Sequence, residues 1–109
     1  MLMSVKRLLR ANGYDSLLFS SAKSFQEQVD FEDACCVVLD INLADGSGIE
    51  LGERLKAAGI SVPVIFITGS DNAAARAAAI QSGCIAYLEK PFSRKSLMEP
   101  IKRASAELN

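Results

Sequence analysis

The sequence feature that most constrains the fold is a short apolar run that ends abruptly on a carboxylate. Residues 35–39 are Cys-Cys-Val-Val-Leu, and Asp40, Ile41 and Asn42 follow directly. Such a run predicts a strand that is buried on both faces, as in a parallel sheet. Ligands of open α/β sheets bind beyond the carboxyl ends of the strands, which is where Asp40 would lie. The alternative is that Asp40 only begins a turn.

Composition predicts one globular domain spanning residues 1–109. Half of the chain is apolar and 23% is charged, as in folded rather than disordered proteins. Twelve basic and thirteen acidic residues give a formal charge of -1, so no overall basic field attracts nucleic acid. The sequence has neither a long apolar run typical of a membrane span nor a signal-peptide pattern. We therefore expect a soluble cytoplasmic protein.

The absence of histidine narrows the possible chemistry. It excludes Ser-His and Cys-His nucleophile pairs and any histidine-based metal site. Two of the three cysteines, Cys35 and Cys36, are adjacent and would point to opposite faces of a strand. We interpret the cysteines as small core residues in a reducing compartment, with a redox role as the alternative.

Helix and strand patterns alternate along the rest of the chain. Besides the central run, strands are predicted at residues 14–19, 62–67 and 84–88. Helices are predicted at residues 1–11 and 73–81, and around Phe25, Leu51 and Leu97. Pro100 lies inside the last helix and is expected to kink it. This alternation with short links predicts an α/β fold, a doubly wound parallel sheet with helices on both faces.

Three of the predicted strands end in side chains that suit an anionic ligand. Asp40, Thr68 and Lys90 would all lie at the carboxyl edge of the sheet. An aspartate can attack phosphorus to form an acyl phosphate. The ammonium group and the hydroxyl group could then bind the phosphoryl oxygens.

Three motifs occur in this order: VLDINLADGSGIEL at residues 38–51, VPVIFITG at residues 62–69 and YLEKPF at residues 87–92. Together they resemble the receiver domain of two-component response regulators, over nearly the whole chain. The resemblance implies a flavodoxin-like fold and a bacterial phosphorelay protein rather than an enzyme proper. It also implies a histidine kinase as partner and a downstream output domain or target protein.

The resemblance assigns roles to individual residues. Asp40 would be the phosphoacceptor, Thr68 the switch hydroxyl and Lys90 the phosphate-binding lysine. Tyr87 would be the aromatic residue whose ring turns inward on activation, although simple packing is the alternative for a ring on an outer strand. The peptide bond between Lys90 and Pro91 would be cis, a form that proline makes accessible.

The sequence departs from the family where magnesium binds. By the resemblance, Mg²⁺ would contact Asp40 and the backbone carbonyl of Asn42, together with an acidic pair that ends the family's first strand. The chain instead begins at the helix that should follow that strand, and residues 1–9 contain no Asp or Glu. Because Mg²⁺ prefers an octahedral oxygen shell, we expect its binding to be weakened or absent.

The same departure affects the sheet. In the family's order the missing strand lies between the strand predicted at residues 14–19 and the central strand. Bare strand edges favour pairing with another chain. We therefore predict that the first strand of this chain either moves beside the central strand or pairs in a homodimer.

Two other functions are alternatives to phosphoacceptance. A degenerate receiver that acts only by protein binding is the main alternative, because the acidic pair is missing. An aspartyl phosphatase resembling the haloacid dehalogenases would need a second aspartate two residues after the first, but Asn42 occupies that position.

Overall fold

The computed structural model describes residues 2–19, 21–27, 36–43, 46–60, 62–69, 72–90 and 92–108. The helices are α1 (Leu2–Ala11), α2 (Ala22–Glu27), α3 (Gly48–Ala57), α4 (Ala73–Gln81) and α5 (Arg94–Leu108). The strands are β1 (Ser16–Phe19), β2 (Cys36–Asp40), β3 (Asn42–Leu43), β4 (Gly46–Ser47), β5 (Val64–Thr68) and β6 (Ala86–Glu89). The predicted alternation of helices and strands is confirmed.

The main sheet is parallel and has the order β1-β2-β5-β6 in the described part of the chain. Phe19 pairs with Leu39, Leu39 with Phe66, and Phe66 with Tyr87, so one row of side chains crosses all four strands. Strand β1 lies directly beside β2. This arrangement confirms the first of the two predicted ways to close the sheet.

The two faces of the sheet carry two separate cores, because successive side chains of a strand point to opposite faces. Helices α2, α3 and α4 cover one face, and its core consists of Phe19, Phe25, Val37, Leu39, Ile41, Leu51, Leu55, Phe66 and Ala79. Helices α1 and α5 cover the other face, and its core consists of Val5, Leu9, Cys36, Val38, Ile65, Ile67, Leu97, Met98 and Ile101. Apolar runs such as residues 37–39 therefore contribute side chains to both cores.

Three predicted strands, β1, β5 and β6, begin two residues later than expected. Strand β1 begins at Ser16 because Tyr14 closes the turn after α1, where its N–H donates to the carbonyl of Leu9 at 2.9 Å. Gly13, with φ +86°, makes that turn. Strand β5 begins at Val64, after Pro63, which has no N–H to donate to a neighbouring strand.

The other strand ends differ by one or two residues. Strand β6 begins at Ala86 rather than residue 84 and extends to Glu89, while β5 extends to Thr68. Helix α5 continues through Pro100, and the kink remains a prediction.

The described cysteines fit the predicted structural role. Cys36 is fully buried and Cys84 is half-buried. Desolvation by burial raises the pKa of the Cys84 thiol, so the protonated form is favoured at neutral pH. Cys35 lies outside the described residues.

Crossing a bilayer requires a helix that is both long and apolar. In the ranges described above, none is both long enough and apolar enough to do so.

Candidate functional site

The three predicted residues do meet at the carboxyl edge of the main sheet. Asp40 is the last residue of the interior strand β2, and Thr68 is the last residue of the neighbouring strand β5. Lys90 follows β6, and its backbone N–H donates to the carbonyl of Thr68 at 2.8 Å. Parallel pairing therefore brings Asp40, Thr68 and Lys90 to one edge of the sheet. Asp40 and Thr68 are 28 positions apart in sequence, and Thr68 and Lys90 are 22 positions apart.

The carboxylate of Asp40 is held by one charge and one backbone donor. The Lys90 ammonium nitrogen lies 3.1 Å from Oδ2, and the backbone N–H of Asn42 donates to Oδ1 at 3.0 Å. The Asp40 and Lys90 side chains are 19% and 24% exposed. The carboxylate is thus oriented by its neighbours and remains accessible from solvent.

Thr68 lies deeper, and its hydroxyl is linked to the loop after β2. Its side chain is only 1% exposed, and the Asn42 amide donates from Nδ2 to its Oγ1 at 3.3 Å. The sequence analysis gave Asn42 only a backbone role. Its side chain is therefore an additional part of the site. The sequence signal that could have indicated this was an amide side chain two positions after Asp40.

Gly48 is a second residue that sequence reasoning missed. A Cβ atom at this position would lie 2.2 Å from the backbone oxygen of Asp40 and 3.2 Å from the Cα atom of Ile41. The Gly48 N–H also donates to the carbonyl of Ile41 at 3.1 Å. The sequence indicated only a turn here, whereas the start of α3 in fact packs directly on the backbone of Asp40 and Ile41.

Tyr87 is half-buried on β6 and packs against the core formed with α2, α3 and α4. The Arg76 guanidinium carbon on α4 lies 5.2 Å from the centroid of the tyrosine ring, a cation–π geometry. Sequence reasoning did not identify Arg76. Pro91 lies outside the described residues, so the predicted cis peptide remains untested.

The described side chains offer few ligands for Mg²⁺. Within the described ranges, no group of three or more His, Cys, Asp or Glu side chains could hold a metal ion. Asp40 contributes one carboxylate, and its Oδ2 already faces the ammonium group of Lys90. Mg²⁺ prefers six oxygen ligands in an octahedron. The described side chains therefore do not form a complete magnesium site by themselves.

Comparisons with known proteins identify the family of the chain. Residues 1–102 match the family described as the response regulator receiver domain. The response regulator protein TodT of Pseudomonas putida is 31% identical over 103 residues, which cover 94% of this chain and 45% of TodT. The transcriptional regulatory protein FixJ of Rhizobium meliloti is 31% identical over 105 residues, which cover 96% of this chain and 52% of FixJ. The chain thus spans about half the length of these curated relatives.

A solved structure shows the same architecture. The crystal structure of a response regulator receiver protein from Pseudoalteromonas atlantica superposes with a TM-score of 0.86 at 26% identity. That superposition covers 98% of this chain and 89% of the other. By its sequence match, its parallel sheet and its helices on both faces, this chain belongs to the response regulator receiver domain family.

Proposed function

We propose that the chain receives a phosphoryl group on Asp40 from a histidine kinase and passes on a conformational signal. The observation that carries this proposal is the placement of the Asp40 carboxylate at the mouth of the sheet, 3.1 Å from the Lys90 ammonium. Receiver domains are signalling modules that take phosphoryl groups from histidine kinases.

The transfer requires a nucleophile and charge neutralisation. A carboxylate oxygen of Asp40 attacks phosphorus, and the bond between phosphorus and the kinase's imidazole nitrogen breaks. The electron pair of that bond returns to the imidazole, and Asp40 becomes an acyl phosphate. Phosphoryl transfer depends mainly on positioning and electrostatics, and Lys90 is placed to bind the developing negative charge on the phosphoryl oxygens.

The contacts of Thr68 and Tyr87 suggest how the signal leaves the site. If the Thr68 hydroxyl turns toward a phosphoryl oxygen, it gives up the 3.3 Å contact from Asn42. An inward turn of the Tyr87 ring would likewise change its contact with Arg76. Both residues are therefore proposed as switch residues, and the α4–β6 region as the part that changes.

The proposal extends to the cellular context. Because the chain spans about half of its curated relatives, an output domain or separate target protein is part of the proposal. A cytoplasmic location is proposed because Cys36 is buried in the core, as expected for a small core residue of a protein in a reducing compartment.

The test is phosphoryl uptake from acetyl phosphate in the presence of Mg²⁺, which receiver domains generally bind at this site. We expect intact-mass spectrometry to show the addition of one phosphoryl group to the wild-type chain. Asp40→Asn should show none, because the amide cannot act as the nucleophile. Equal uptake by this variant would exclude Asp40 as the acceptor.

Lys90→Gln separates charge neutralisation from nucleophilicity. A partly exposed ion pair contributes roughly 0–1 kcal/mol to stability, so the thermal midpoint should change little. Hydrogen bonds to charged groups are stronger, about 1.5–3 kcal/mol, so uptake should slow by about tenfold or more. An unchanged rate in a folded variant would mean that Lys90 does not bind the phosphoryl group. Lys95→Gln, which changes an exposed side chain of α5, is the matched control and should be neutral.

A degenerate receiver that acts by protein binding alone is the second candidate. It is favoured by the incomplete set of metal donors on the described residues. This candidate predicts no phosphoryl gain from a folded sample under conditions that phosphorylate a receiver with the full acidic set. That result would reject phosphoacceptance by this chain and leave the family assignment intact.

A further inference from the structure

The two helices that cover one face of the sheet, α1 and α5, are rich in basic residues. Helices α1 and α5 contain only two of the thirteen carboxylate residues, Glu99 and Glu107. They contain seven of the twelve basic residues: Lys6, Arg7, Arg10, Arg94, Lys95, Lys102 and Arg103. All seven are exposed. One layer of the molecule is therefore basic, although the whole chain carries a formal charge of -1.

Few of these cations are recorded in ion pairs with the described residues. Among the described residues, the ion pair recorded on this layer joins Lys95 to Glu99 at 3.8 Å. Helix α1 contains no carboxylate residue, and Lys6 and Arg10 are four residues apart on it. Like charges at this spacing repel each other and destabilise a helix. A bound anion would relieve this repulsion.

The layer also contains a groove. Its volume is about 510 Å³, and it lies where Asn12, after the end of α1, faces the first half of α5. The α5 side chains that line it are Arg94, Lys95, Met98, Glu99 and Lys102. The walls therefore combine three cations with an amide, a buried thioether and one carboxylate.

We propose that the groove and the surrounding cations, here called the α1–α5 basic surface, bind a carboxylate-rich segment of a partner protein. A membrane surface is disfavoured because the apolar residues Val5, Leu9, Leu97 and Ile101 face the core and are unavailable for insertion. A nucleic acid is disfavoured because none of the described side chains that line the groove is aromatic, so unpaired bases would have no surface on which to stack. A peptide can place carboxylates beside the cations and an apolar group over Met98.

This surface is independent of the phosphoacceptor. Asp40, Thr68 and Lys90 lie at the carboxyl edge of the sheet, and none of them lines the groove. The proposal therefore stands whether or not Asp40 is phosphorylated.

The probe is a fluorescein-labelled peptide of eight glutamates, with a peptide of eight glutamines as the uncharged control. Binding is measured by fluorescence anisotropy at an ionic strength of about 0.01 M, where the Debye length is roughly 30 Å. We expect saturable binding of the glutamate peptide that weakens as salt is added. An eight-residue oligothymidylate and phosphatidylglycerol vesicles are tested in parallel.

The decisive variant is Arg94→Glu/Lys102→Glu, which reverses two charges that line the groove. Both side chains are exposed, and a glutamate at the start of α5 suits the helix dipole, so the fold should be retained. The matched control, Arg54→Glu/Lys56→Glu, makes the same change in net charge on α3, which covers the opposite face. Circular dichroism melts verify that both variants fold.

We expect the groove variant to weaken peptide binding by at least tenfold and the α3 variant by less than twofold. Equal weakening in both would show that net charge alone attracts the peptide, and the proposal would fail. It would also fail if the glutamate peptide did not bind, or if oligothymidylate or vesicles bound more tightly and lost that affinity in the groove variant.

Discussion

Gly48→Ala is expected to destabilise the protein by at least about 3 kcal/mol, beyond the usual range for adding a methyl group to a packed site. The added Cβ would lie 2.2 Å from the Asp40 backbone oxygen and 2.9 Å from the carbonyl carbon. Both are backbone atoms of β2, so no side-chain rotation can relieve the contact. Either α3 must withdraw or the end of the strand must move.

The measurement is urea unfolding of the variant beside the wild-type chain, followed by circular dichroism. For a domain of this size, such a loss corresponds to a fall in thermal midpoint of about 12 °C or more. Gly46→Ala is the matched control, two residues away. Its Cβ would meet only the Cβ of Ala22 at 3.5 Å, an ordinary contact, so its effect should be within about 0.5 kcal/mol. Equal stability of the two variants would contradict the close packing at Gly48.

Gly52→Ala is the second change with a large expected effect, and its size should depend on Phe66. The new Cβ on α3 would lie 2.8 Å from Cζ of the Phe66 ring, which is fully buried on β5. Overpacking of this kind costs about 1–3 kcal/mol. In a Phe66→Leu background the distal ring atom is absent, so the cost should largely disappear.

A double-mutant cycle measures this dependence. We expect a coupling free energy of at least about 1 kcal/mol between Gly52→Ala and Phe66→Leu, from urea unfolding of the four chains. Alanine is also a better helix former than glycine by about 1 kcal/mol, but this gain is the same in both backgrounds and cancels in the cycle. The double variant should be more stable than the sum of the single changes indicates because Phe66→Leu removes the clashing ring atom. Gly46→Ala with Phe66→Leu is the additive control. Additivity at Gly52 as well would show that Phe66 does not limit this position.

The fold class was predictable because it depends on local pattern. Fully apolar runs such as residues 37–39 indicate strands covered on both sides, and short links between helices and strands allow only a parallel sheet. Strand ends were predicted less accurately. Tyrosine is common in strands, so Tyr14 was assigned to one. Its N–H instead donates a hydrogen bond that closes the turn after α1, and the residue type alone does not reveal that bond.

The candidate site was predictable in the same way. A carboxylate, a hydroxyl and an ammonium group each follow an apolar run, and the parallel arrangement of strands places them at one edge. The phosphoacceptor role itself came from the resemblance to receiver domains and remains to be tested by phosphoryl uptake. Arg76 and the side-chain role of Asn42 were missed because their contacts with Tyr87 and Thr68 join separate segments of the chain.

By itself, the sequence determined the order of helices and strands, the two-sided burial of β2 and the presence of Asp40, Thr68 and Lys90 at the ends of apolar runs. These properties follow from side-chain polarity along one segment at a time. Only the tertiary structure decided that β1 pairs directly with β2, that Gly48 must lack a side chain and that the cations of α1 and α5 form one surface. Each of these depends on the distance between segments that are far apart in sequence, and packing sets that distance.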